Sequence, residues 1–436
     1  MSRLPLLLAL LIACTPEAAT TSDTSGTSTG TGEQATDAST ASTSSATAST
    51  STPTTTATPT TTDTTGDTTI GEASSTGAPA GTCGDGTIDP GQLCFALARS
   101  IPVGVTPVAL DIGDLDGDGH LDLVAVDLAG QTVERLLGLG GAEFELQSPA
   151  LPSFQPRGVV IADLDEDPRL DIAVADIGLD AITIYHATGR PGEFAVGKPI
   201  KAGGKPRALV AGDLDGDGRS DLVVANEESS DLSVALADGA GGFVPAVHYP
   251  VGLAPYELTL ADLDGDGDLD LVSADKDSNG LSVLLATGDG SFAAATPYPI
   301  IDEPRTLSVG DIDGDGALDV VAASYTTPNL KVLLGDGAGG FADKPGFVPF
   351  SIGMYAVVVA DLDHDGVQDI VGVDSDLSEV VVIRNIGPGK LPTYAHYVVG
   401  VNPDDLLVRD LDGDGALDVV TADSGSGTIT ILRADP

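Results

Sequence analysis

Seven nine-residue stretches of the form Asp-x-Asp-x-Asp-x-x-x-Asp recur along this 436-residue chain at intervals of 49 or 50 residues. They are "DLDGDGHLD" at Asp114, "DLDEDPRLD" at Asp163, "DLDGDGRSD" at Asp213, "DLDGDGDLD" at Asp262, "DIDGDGALD" at Asp311, "DLDHDGVQD" at Asp361 and "DLDGDGALD" at Asp410. Each gathers four carboxylates, and two carboxylates about 4 Å apart repel by roughly 4 kcal/mol at an effective dielectric near 20. Such a loop calls for a positive charge inside it. The candidate ligands at positions 1, 3, 5 and 9 are Asp114, Asp116, Asp118 and Asp122 in the first copy, then Asp163, Asp165, Asp167 and Asp171, and Asp213, Asp215, Asp217 and Asp221. The remaining copies offer Asp262, Asp264, Asp266 and Asp270; Asp311, Asp313, Asp315 and Asp319; Asp361, Asp363, Asp365 and Asp369; and Asp410, Asp412, Asp414 and Asp418. Calcium, which accepts six to eight oxygens in flexible geometry, fits this donor set better than magnesium.

An EF-hand also begins D-x-D-x-D-G, but it needs a bidentate Glu at position 12 and a helix on each side. Position 12 of the first copy is Ala125, and the other copies have Val174, Val224, Ser273, Ala322, Gly372 and Thr421. The flanks "PVALDIG" and "LDLVAV" are short, apolar and β-branched, so they read as strands. The loops therefore join strand to strand, with Asp122 at position 9 and the carbonyl of His120 at position 7 completing the first site.

A period near fifty residues with several strands per unit predicts an all-β fold, a β-propeller of seven blades. In the fourth unit "YELTLAD" reads as strand A, "LDLVSAD" as strand B, "GLSVLLATG" as strand C and "SFAAATPYPI" as strand D. A Phe after a Gly-rich turn recurs at Phe144, Phe194, Phe243, Phe292 and Phe341, with Leu391 in its place once, and is expected to pack between blades. Phe95 stands 19 residues before Asp114, as Phe243 stands 19 before Asp262, whereas no equivalent follows the seventh loop. The segment "FALARSIPVG" should therefore supply the outer strand of the last blade and close the ring, leaving no exposed edge there.

The "FG" turn and "DLDGDG..D" loop at this period resemble the FG-GAP (VCBS-type) repeat, the module of the integrin α-subunit propeller. The resemblance covers residues 95–436. It implies calcium in the strand A–B hairpin of each blade, up to seven ions, all on one face of the ring. Fold likeness leaves the ligand open, because this fold serves adhesion receptors, lectins and a few lyases and dehydratases.

Upstream, "MSRLPLLLALLIAC" has an apolar run much shorter than the roughly 20 residues that span a bilayer. Its end resembles the lipobox of bacterial lipoprotein signal peptides, which implies a signal peptide over residues 1–13 and lipidation of Cys14. Residues 14–82 are dominated by Ser, Thr, Ala, Gly and Pro, without an aromatic residue, and are expected to form a disordered stalk. Cys83 and Cys94 bracket "CGDGTIDPGQLC" and read as a disulfide closing a loop over residues 83–94. Together these features place the protein at a bacterial cell envelope, outer membrane or cell surface, held by its lipid alone.

The formal net charge is −47, from 66 acidic and 19 basic residues, and the seven loops hold 28 of those acids. Seven divalent ions would still leave a strongly acidic surface, which excludes a nucleic-acid phosphate backbone as partner. His-based acid–base chemistry finds little support: His120 and His364 lie in loops, His248 and His396 on outer strands, and His186 at the end of a strand C. No GxSxG elbow, phosphate loop or zinc motif is present in residues 95–436. The connections from strand D to strand A place Arg157, Arg207, Tyr256, Arg305 and Tyr355 at equivalent sites near the mouth of the central channel, where a ligand would sit. The expectation is a non-enzymatic binding or adhesion module for a glycan or protein ligand. The competing expectation is a carbohydrate-active lyase or hydrolase on the same scaffold.

Overall fold

The computed structural model describes residues 93–96, 98–300, 303–324, 329–343, 354–385 and 393–434. These all belong to one compact unit. The segments expected to be a signal peptide and a stalk, with Cys14, Cys83 and Leu391, lie outside the described residues.

Seven antiparallel sheets follow one another along the chain. Strand A of each is Pro107–Gly113, Pro156–Ala162, Pro206–Gly212, Pro255–Ala261, Pro304–Gly310, Met354–Ala360 and Pro403–Arg409. Each A strand packs against the A strands of both neighbours, and the last packs against the first, so they surround a central axis. Strand B is six residues in every blade, from Asp122–Asp127 to Asp418–Asp423, and is buried throughout. Burial on both faces accounts for runs such as "DLVAVD" and "DLVVAN", apolar without alternation.

Seven apolar clusters fill the seven interfaces between blades. Val108, Val124 and Val126 of the first blade meet Ile172, Val174 and Tyr185 of the second. At the seam, Leu110, Leu123 and Leu136 meet Leu407, Val420 and Ile429. The recurring Phe does pack between blades: Phe292 lies edge-on to Tyr249 at 5.5 Å, and Phe341 to Tyr298 at 5.6 Å.

The closing strand is where the Phe spacing places it. Arg99–Pro102 runs antiparallel to Thr428–Leu432, from Arg99 opposite Ile431 to Pro102 opposite Thr428. Phe95 bridges to Ala434 and meets Tyr397 edge-on at 4.8 Å. Outer strands elsewhere are shorter than the sequence implies. In the fourth blade Phe292 makes only an isolated bridge to Ala286, and strand D is Thr296–Pro299. Pro297 and Pro299 carry no N–H, which suits an edge strand but limits its extent.

Strand B ends in an acidic or polar residue that ties down the D–A connection on the face away from the loops. Asp275 accepts from Gly252 N at 3.1 Å and from the hydroxyls of Ser273 and Ser282. Asp127 and Asp423 hold the same place. A Cβ on Gly252 would stand 2.5 Å from Asp275 Oδ2, and one on Gly104 or Gly400 would stand 2.3 Å from Asp127 or Asp423. Gly252→Ala should therefore destabilise the protein by about 1–3 kcal/mol through overpacking. Urea unfolding reads this directly, and an unchanged midpoint would show that the contact yields without cost.

Candidate metal centres on the loop face

Each loop joins strand A to strand B and is organised by its own aspartates. In the first, Asp114 accepts from Gly117 N at 2.7 Å and Gly119 N at 3.0 Å, and Asp118 accepts from His120 N at 2.8 Å. The bond from the position-6 N–H to the position-1 carboxylate recurs in six loops at 2.9–3.1 Å. Position 6 is Gly in those six, with φ between 86° and 97°, a conformation that side chains rarely adopt.

The position-9 aspartate does something the sequence did not announce. It is buried in every blade, and it latches the loop to strand C. Asp122 Oδ2 accepts from Leu115 N and its Oδ1 from Gly138 N, both at 2.7 Å. The same pair of bonds is made by Asp221 to Leu214 N and Ala237 N, and by Asp418 to Leu411 N and Ala434 N. Each carboxylate oxygen retains a second lone pair for a ligand.

These bonds bring the predicted carboxylates together. Oxygens of Asp114, Asp116 and Asp122 lie within 4.8 Å of one another, as do those of Asp213, Asp215 and Asp221, of Asp262, Asp264 and Asp270, and of Asp311, Asp313 and Asp315. An all-oxygen, acidic donor set converging at this range could hold a metal ion, and a hard divalent cation suits it. The electrostatics agree. Burial, with repulsion from Asp114 and Asp116 adding to it, pushes Asp122 up to about 6 from an ordinary 3.8. Burial does the same to Asp221, to about 6, and to Asp369 and Asp418, to about 7. Without a cation, these carboxyls take up a proton at higher pH than an ordinary aspartate does.

The second blade departs from the pattern. Pro168 has no N–H to give Asp163, whose Oδ1 is buried without a hydrogen-bond partner among the described residues. Glu166 at position 4 takes a φ of 66° where five other loops have Gly. The group brought together here is Asp165, Asp171 and His186, with His186 Nδ1 3.0 Å from Asp171 Oδ2. His186 lies fifteen residues beyond its loop, so only the B–C register reveals this placement.

On the opposite face, the structure brings together three of the five residues expected at the channel mouth. The guanidinium of Arg207 lies 3.6 Å from the ring centre of Tyr256, and that of Arg305 lies 5.3 Å from it. Arg207 also pairs with Glu227 at 2.7 Å, which holds that carboxyl below its ordinary range despite its burial. Arg157, Arg207 and Tyr256 are buried, while Arg305 and Tyr355 are half-buried. Burial gives Arg207 and Tyr256 a packing role, since a desolvated cation–π contact is worth about 2 kcal/mol.

A family model described as FG-GAP-like repeat matches residues 114–174, 163–224, 213–273, 262–322 and 311–372. These overlapping matches span more than half of the chain. The chain belongs to the FG-GAP-like repeat family. No curated protein matches it in sequence. Among solved structures, it is similar to BBS1N in complex with ARL6DN, at 17% identity and a TM-score of 0.54, over 78% of this chain and 97% of that one. It is likewise similar to virginiamycin B lyase from Staphylococcus aureus, at 11% identity and a TM-score of 0.54, over 78% of this chain and 99% of that one. At such identities these neighbours establish the shared fold of this FG-GAP-like chain and nothing about its ligand.

Proposed function

We propose that the FG-GAP-like loops hold calcium, and that the protein is a lipid-anchored extracytoplasmic module binding a glycan or protein ligand. The observation that carries the calcium reading is the convergence of three carboxylates in each of several loops. When bound, the ion would neutralise these carboxylates and fix each A–B hairpin; positions 1, 3, 5 and 9 would hold it. A binding role is supported by a half-buried Arg305 and Tyr355 at one mouth of the channel. BBS1N is a propeller solved in complex with another protein, which supports a protein ligand in general terms. The alternative reading is a carbohydrate-active lyase or hydrolase on the same scaffold.

A glycan and protein array probed with and without chelator tests the binding role. Calcium-dependent capture without turnover is the expected result, and product release would favour the enzyme. Cys14→Ala should move the protein from the membrane fraction to the soluble one; retention at the wild-type level would overturn the lipid anchor.

The second blade is expected to bind calcium most weakly of the seven, because Pro168 removes a loop hydrogen bond and Arg169 pairs with Asp167. Pro168→Gly should add or tighten one site in a calorimetric calcium titration. An isotherm identical to wild type would refute that account of the loop.

A further inference from the structure

Fifteen residues after the position-9 aspartate stands one residue near the end of strand C or directly after it. It is Leu137, Leu236, Leu285 and Leu334 in blades one, three, four and five, but Arg384 in blade six and Arg433 in blade seven. The leucines serve packing: Leu236 and Leu285 lie under the Gly290 and Gly339 turns of the next blades. The arginines do something else. Arg384 places both Nε and Nη2 on Oδ2 of Asp363, the position-3 carboxylate of blade six. Asp363 is 1% exposed in its side chain and Arg384 16%. Arg433 Nη2 lies 2.5 Å from Oδ2 of Asp412, the position-3 carboxylate of blade seven, whose side chain is 3% exposed, and 3.9 Å from Asp414 Oδ2. These contacts differ from those of Arg169 and Arg219, which sit on the loops and pair with the more exposed position-5 carboxylates Asp167 and Asp217.

We propose that Arg384 and Arg433 are built-in counter-cations that make blades six and seven, and with them the seam that closes the ring, independent of calcium. The proposal rests on the calcium reading above. A guanidinium on one oxygen of the position-3 carboxylate lowers the loop's charge from four to three negatives. It also denies an ion bidentate use of that group, and it repels a divalent ion on the other oxygen. Affinity for calcium follows ligand charge count, so these two loops bind it at least tenfold more weakly than the loops with Leu at this place. The arrangement suits the seam. Arg433 directly follows the strand Thr428–Leu432 that pairs with the closing strand, and its carbonyl accepts from Ala96 N at 2.7 Å. Calcium would then tune the Leu-type blades while the chain ends stay locked.

Calorimetric calcium titration of the full chain, with hydrogen exchange in excess chelator, tests this. Arg384→Leu and Arg433→Leu should each convert one weak site into a tight one. In the wild type, chelation should leave the A–B hairpins Met354–Asp374 and Pro403–Asp423 protected while Pro255–Asp275 loses protection. Removing the arginine leaves a buried carboxylate without its partner, so in each variant that hairpin should become chelator-sensitive. Should either variant fail to fold, Leu285→Arg offers the converse: it should weaken one tight site at least tenfold. Normal calcium binding with isotherms unchanged in all three variants, or equal loss of protection in all seven blades, overturns the proposal alone. No calcium bound by any of these proteins overturns the calcium reading with it.

Discussion

In excess chelator at pH 7.5, the melting temperature of the protein should fall by on the order of 10 °C or more, with magnesium restoring little of it. An ion that binds only the folded ring stabilises it by RT ln(1 + [L]/Kd), about 2.7 kcal/mol per site at a hundred times Kd. Several such sites in one cooperative ring add up to a shift of that size. The effect also has a pH signature. In the metal-free protein Asp122 and Asp221 are pushed to about 6, and Asp369 and Asp418 to about 7, against an ordinary 3.8. The folded state therefore binds more protons than the unfolded chain between pH 4 and 7, and stability falls as pH rises through that window. Calcium offsets the share of this loss that comes from Asp122 and Asp221, in loops without an arginine on the position-3 carboxylate, by neutralising their ionised carboxylates. The drop in melting temperature on chelation should be larger at pH 7.5 than at pH 5, where protons occupy the same groups. Thermal scans in calcium and in chelator at both pH values check this; equal drops would contradict it.

Deleting residues 95–104 should abolish cooperative unfolding and cause aggregation. The deletion removes Arg99–Pro102 from its pairing with Thr428–Leu432, along with the Val103 N to Gly427 O bond and the Phe95–Tyr397 contact. It leaves Thr428–Leu432 as a bare edge strand beside an open interface, a template for pairing with other chains. Light scattering during a thermal scan measures the outcome. A deletion protein that melts as sharply and as high as its parent would mean that the ring closes some other way.

Much of this was legible in the sequence because one unit repeats seven times, and each copy confirms the reading of the others. The loops, the blade count and the closing strand all follow from spacing, since Phe95 keeps the same distance to its loop as Phe243 does to its own. What escaped depends on register across strands. Asp122 looks like a ligand, yet its bonds to Leu115 N and Gly138 N also make it the latch between loop and strand C. His186, Arg384 and Arg433 lie far from their loops in sequence and beside them in space. The burial of Arg207 against Tyr256 was equally hidden, because a Pro-Arg turn looks alike whether its side chain meets solvent or a neighbouring blade.

The measurement closest to the central claim is equilibrium dialysis of the full chain against calcium, with magnesium in excess. Several calcium ions bound per chain and retained against magnesium are the predicted result. A chain that binds none, or that exchanges them freely for magnesium, would contradict the account of the seven aspartate loops.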